Sequence, residues 1–123
     1  MDRSRDLRLT IDLARGPVFA HDREEVYALM GGGPEHVPER YRSGNPGDLL
    51  PFQAPQVLLQ GTADDQIPPE LPLRWAEKSR RSGSHATVKI LQGADHFDVV
   101  DPESTAWPTV LTEVKALLDH RRR

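Results

Sequence analysis

The chain has no cysteine among its 123 residues. Disulfides, thiolate metal sites and cysteine nucleophiles are therefore excluded. Long apolar runs are missing too: none approaches the ~20 residues a helix needs to span a bilayer. The N-terminal Met-Asp-Arg-Ser-Arg-Asp holds no apolar signal core. Together these absences lead to the expectation of a soluble, cytoplasmic protein that does not engage membranes. Charge of one sign is not in excess, with 19 acids against 16 bases and a net charge of −3, so no global field favours nucleic acid. Arg121-Arg122-Arg123 reads as a solvated helix end rather than a nucleic-acid tail. The five histidines show neither H-x-x-x-H nor H-E-x-x-H spacing, and no metal and no cofactor is expected. Apolar content of 37% against 28% charged implies a modest core in one domain or less.

Turn formers, by contrast, are plentiful: eleven prolines and nine glycines. Residues 1–21 are weakly patterned, with Leu7, Leu9, Ile11 and Leu13 alternating as in a strand. Asp22 is expected to cap a helix carrying Val26, Tyr27, Leu29 and Met30, which Gly31-Gly32-Gly33-Pro34 ends. That glycine run follows a helix and lacks Lys-Ser/Thr, so it reads as a helix stop and not a phosphate loop. A short helix is expected from Pro34 to about Arg42, then a loop over Ser43–Gly47. Gln56–Gln60 reads as a strand entered from Pro55. Pro68-Pro69-Glu70 opens a helix to about Arg81, with Leu71, Trp75 and Lys78 on one face, Leu73 beside it, and Gly83 as its stop. Ala86–Leu91 is a second strand, with Val88 and Ile90 on one face. Ser104 is expected to cap a last helix whose Trp107, Val110, Leu111, Val114, Leu117 and Leu118 form a stripe suited to packing on a sheet. Strand–helix–strand–helix order implies a parallel βαβα unit with a right-handed crossover, flanked by helices, over an α/β segment at 22–120.

Both strands end in a glycine turn, Gly61 and Gly93, and open parallel sheets bind ligands at that edge. The first turn carries Asp64 and Asp65; the second carries Asp95 and His96. Adjacent strands lie about 4.8 Å apart, so side chains from the two loops can meet. A carboxylate on one ring nitrogen fixes the histidine tautomer and leaves the other nitrogen free as a base. Taken singly, Asp64-Asp65 is an Asx-type turn and His96 a half-buried histidine. The acids at 64, 65, 95, 98 and 101 read as a solvated loop rather than a cation site, and Trp75 and Trp107 as core.

The two turns resemble the C-terminal half of an α/β-hydrolase. The family's Gly-x-x-Asp-x-x-Ile/Val-Pro stands as Gly61-Thr62-Ala63-Asp64-Asp65-Gln66-Ile67-Pro68, and its Gly-x-x-His-Phe as Gly93-Ala94-Asp95-His96-Phe97. By that resemblance Asp64 matches the acid and His96 the base of a Ser-His-Asp triad, with Asp65 the weaker candidate acid. Residues 34–41 and 45–51 look like the segment preceding the acid strand in dienelactone-hydrolase, prolyl-oligopeptidase and arylformamidase-like branches. The likeness covers roughly residues 22–118. No Gly-x-Ser-x-Gly occurs. Ser43 and Ser82 read as loop or cap serines, and Gln60-Gly61 replaces the usual His-Gly. The resemblance therefore implies the last part of a serine hydrolase acting on esters, amides or peptides, lacking its nucleophile. The alternative is a non-catalytic, truncated relic that self-associates or binds a partner. A two- or three-strand parallel sheet lacks helix cover, so a homo-oligomer or a partner chain is expected, or else a marginal monomer.

Overall fold

The computed structural model describes residues 20–121, and the strand-like pattern expected before residue 20 lies outside them. The chain divides into two compact units between Phe52 and Gln53.

The first unit contains α1, Ala20–Met30, and α2, Pro38–Gly44, followed by a 3-10 turn at Pro46–Asp48. Asp22, expected before the first helix, lies inside it. Gly31 and Gly32 do end α1: both backbone N–H groups donate to the Tyr27 carbonyl. The end is held by α2, where the Tyr41 hydroxyl donates to the Gly32 carbonyl at 2.9 Å and Arg40 Nη1 to the Met30 carbonyl at 3.0 Å. Burial, with Tyr27 and Glu35 nearby, pushes the Tyr41 phenol pKa up, so it stays a donor. The second helix begins at Pro38 and not at Pro34. A residue preceding proline is kept out of helical geometry, and Val37 sits at φ −132°. The Gly33 carbonyl instead closes a turn on His36 and Val37. Leu29, expected in the apolar stripe of α1, is exposed.

The second unit runs β1 (Gln56–Gly61), α3 (Glu70–Arg81), β2 (Ala86–Leu91) and α4 (Trp107–Arg121). It is α/β: a small parallel sheet of two strands with flanking helices. The strands pair in register from Gln56 opposite Ala86 to Gly61 opposite Leu91. The buried face of α3 is Leu71, Pro72, Trp75, Ala76 and Ser79, at i, i+1, i+4, i+5 and i+8. Leu73 points to solvent and Lys78 is half-buried, because the face turns toward small residues able to approach the strands. Trp75 Nε1 donates to Gln56 Oε1 at 2.9 Å, tying α3 to β1.

The last helix departs further from expectation. Ser104 does not cap it; its hydroxyl donates to the Asp98 carbonyl at 2.6 Å, and α4 starts at Trp107. Leu111, Val114 and Leu118 are exposed, as is Ile90 on β2. Two strands are too narrow to cover the stripe of a helix of this length. One ion pair does cross from sheet to helix, between Lys89 and Glu113. Among the described residues no helix is long and apolar enough to cross a membrane.

Gly61 has no room for a side chain, since a Cβ there would collide with the Ala94 backbone carbonyl. Gly61→Ala should therefore cost about 1–3 kcal/mol, as overpacking against a backbone atom typically does. A urea titration reads it, and an unchanged midpoint would refute that close approach.

Candidate active site

The loops leaving β1 and β2 are clamped together at their start. Thr62 N–H donates to the Leu91 carbonyl at 3.0 Å and Ala63 N–H to the Ala94 carbonyl at 2.9 Å. Gly93 N–H donates to Thr62 Oγ1 at 2.8 Å. Gly93 sits at φ +75°, a turn conformation that costs glycine little. The clamp makes the two loops one ledge at the C-terminal edge of the sheet.

On that ledge the Asp64 carboxylate meets the His96 ring, Oδ2 lying 3.0 Å from Nδ1. The other oxygen, Oδ1, accepts the backbone N–H groups of Gln66 at 2.8 Å and Ile67 at 2.9 Å. Asp64 thus closes an Asx turn with one oxygen and orients a histidine with the other. Its side chain is 8% exposed and that of His96 37%, so the acid is shielded while the ring remains accessible. With Nδ1–H donating to the carboxylate, Nε2 is left as an acceptor. The Phe97 ring meets the imidazole edge-on, centroids 5.2 Å apart.

Burial pushes the Asp64 carboxyl pKa up. The Ile67 N–H, the His96 ring, the Gln66 N–H and the His96 charge outweigh it, and together hold the pKa below the ordinary 3.8. Asp65 is turned elsewhere: its Oδ1 accepts from the Gln66 side-chain amide at 3.2 Å.

The histidine loop has its own brace. Asp95 Oδ1 accepts from Phe97 N–H and Asp98 N–H, both at 2.9 Å, and Asp98 Oδ2 accepts from Asp95 N–H at 2.8 Å. Asp101 Oδ1 likewise accepts from Glu103 N–H at 2.9 Å. Among the described residues no three histidine or acidic side chains form a group able to hold a metal.

The hydroxyls of Ser43 and Ser82 are committed to backbone: Ser43 to the Glu39 and Arg40 carbonyls, and Ser82 to that of Ser79. Sequence reasoning gave Thr62 no role, noted Gln60 only where it replaces a histidine, and read Asp95 only as one acid of a solvated loop. Only Asp95 carried a signal, an aspartate two residues before the Phe97 N–H it caps, as Asp64 is two before Gln66.

No family model matches the chain. The propionate-bound structure of a thermophilic esterase from the planctomycete Thermogutta terrifontis superposes with a TM-score of 0.59 at 21% identity. The chain shares its fold with part of that esterase. The match spans 89% of this chain and 39% of the esterase chain. A butyrate-bound structure of the same esterase gives a TM-score of 0.58 at 22% identity, over 93% of this chain and 40% of that one. In sequence, 71 residues are 37% identical to a 5-methylorsellinic acid synthase of Aspergillus terreus, 56% of this chain but 3% of the synthase. The chain therefore spans well under half of each protein it resembles.

A carboxyl whose pKa is lower folded than unfolded binds fewer protons when folded. Its contribution to stability is full above about pH 3.8 and is lost as the pH falls through the folded-state value below that. Asp64→Asn should therefore cost about 1–2 kcal/mol at neutral pH. The gap between wild type and variant should close below pH 4, read from denaturant melts across pH 2–7. A gap independent of pH would contradict the assigned carboxylate bonds.

Proposed function

We propose that this chain supplies the acid and the base of a serine hydrolase acting on esters, amides or peptides. Asp64 is the orienting carboxylate, His96 the general base and then acid, and the nucleophilic serine belongs to polypeptide outside these residues. The observation that carries this reading is the 3.0 Å contact between Asp64 Oδ2 and His96 Nδ1, with Nε2 uncommitted. The shared fold with an esterase supports it, as does the absence of Gly-x-Ser-x-Gly from the 123 residues. We assign the chain to the α/β-hydrolases on the two turn motifs.

In the reaction, His96 Nε2 takes the proton as the serine oxygen bonds to the acyl carbon. Nδ1–H stays on the histidine, and Asp64 stabilises the imidazolium without itself being protonated. The imidazolium gives its proton to the departing alcohol or amine as the acyl bond breaks. A water, deprotonated by the same nitrogen, then releases the acid and regenerates the serine.

The uncovered apolar surface supports a partner. Ile90, Leu111, Val114 and Leu118 are exposed on a unit whose sheet has only two strands. Such surface is covered in stable proteins, here by a second copy or by the nucleophile-bearing polypeptide. A non-catalytic, self-associating module is the second reading, and it rests on the same surface.

The purified chain should not hydrolyse p-nitrophenyl butyrate and should not react with a fluorophosphonate probe. Labelling of these residues would overturn the claim that the nucleophile lies elsewhere. Joined to a Gly-x-Ser-x-Gly segment read from upstream coding sequence, the assembly should hydrolyse the ester. His96→Ala should then lower kcat by about 10⁴-fold or more, and full activity in that variant would reject the assigned base. Light scattering after size exclusion should show the isolated chain associated; a stable monomer would count against the covered-surface reading.

A further inference from the structure

Gln60, next to last in β1, is only 5% exposed. A buried primary amide must place its N–H groups on acceptors. Gln60 Nε2 donates to the Ile67 carbonyl at 2.8 Å and lies 3.4 Å from the Gly61 carbonyl. Ile67 is also the residue whose N–H donates to Asp64 Oδ1. A side chain from the strand thus holds the carbonyl of the residue whose N–H holds Asp64.

We infer that Gln60 is the positioning residue of the Asp64–His96 pair: it pins Ile67, so that backbone occupies Oδ1 of Asp64 and Oδ2 is left aimed at His96 Nδ1. The catalytic consequence rests on the hydrolase reading above; the positioning itself does not. A purely structural amide would affect stability alone. A positioning amide also sets how tightly the Ile67 N–H holds the carboxylate, and hence how the carboxyl titrates.

The test is nuclear magnetic resonance on the full chain, following the Asp64 carboxyl carbon through an acid titration and the His96 Nδ1 proton at neutral pH. Gln60→Met keeps the length and removes the donor. It should raise the Asp64 titration midpoint by about one unit, the scale of losing one good hydrogen bond to a carboxylate. Exchange of the Nδ1 proton with water should speed up by about tenfold or more as its acceptor loosens. Trp75→Phe, which removes a different part-buried bond to a glutamine on the same strand, serves as the destabilised control and should move neither signal. If Gln60→Met does not fold, Gln60→Asn, one methylene short, should shift both signals the same way. Unchanged signals in a folded Gln60 variant, or equal shifts in Trp75→Phe, would overturn the assignment. Neither readout needs hydrolysis, so a failed esterase assay and a failed positioning test are separate results.

Discussion

Parallel pairing of β1 with β2 is the constraint from which the site follows. In-register strands running the same way must deliver their C-terminal loops to the same edge. Residues 64 and 96 are far apart in sequence, so no sequence-local contact could bring them together. The strands end where Gly61 lies against the Ala94 carbonyl, an approach a side chain would prevent. Beyond that point Thr62 and Ala63 continue the cross-bridging from outside the ladder. The loops are thus fixed relative to each other before any acid or histidine contributes.

Three aspartates of this edge share one device. Asp64 and Asp95 each accept the backbone N–H groups two and three residues on, and Asp101 accepts the first of these. What composition presents as an acidic loop is a set of Asx turns in which carboxylates satisfy backbone donors. Asp64 differs by one contact, since its second oxygen faces an imidazole. The turn and the pair are not rival descriptions of that residue, because the turn is what holds the second oxygen in place.

The same narrow sheet that builds the site leaves the unit thinly covered. Among the described residues its buried apolar positions are mostly alanine, with Leu71 and Trp75 the large ones. Large apolar side chains on α4 and β2 stay in water because two strands offer too little area to dock a long helix. The esterase that shares this fold is more than twice as long, and the chain matches 39% of it.

Much of the second unit was legible in the sequence. Apolar runs closed by glycine mark both strands, and Pro68-Pro69-Glu70 and Gly83 bracket α3, because these residues act on their own backbone. Helix starts were less legible: Val37-Pro38 displaces one start, and Ser104 gives its hydroxyl to a distant carbonyl instead of to a cap. Which helix faces are buried was not legible either. The sequence encodes that α4 has an apolar stripe, but only the sheet's width decides whether it is covered. By itself the sequence determined the two glycine turns, the acid and the histidine they carry, and the order of elements between them. Tertiary structure alone decided that one oxygen of Asp64 closes the turn while the other faces His96, and that Gln60 and Thr62 hold the loops, since these depend on distances across strands that linear spacing does not contain.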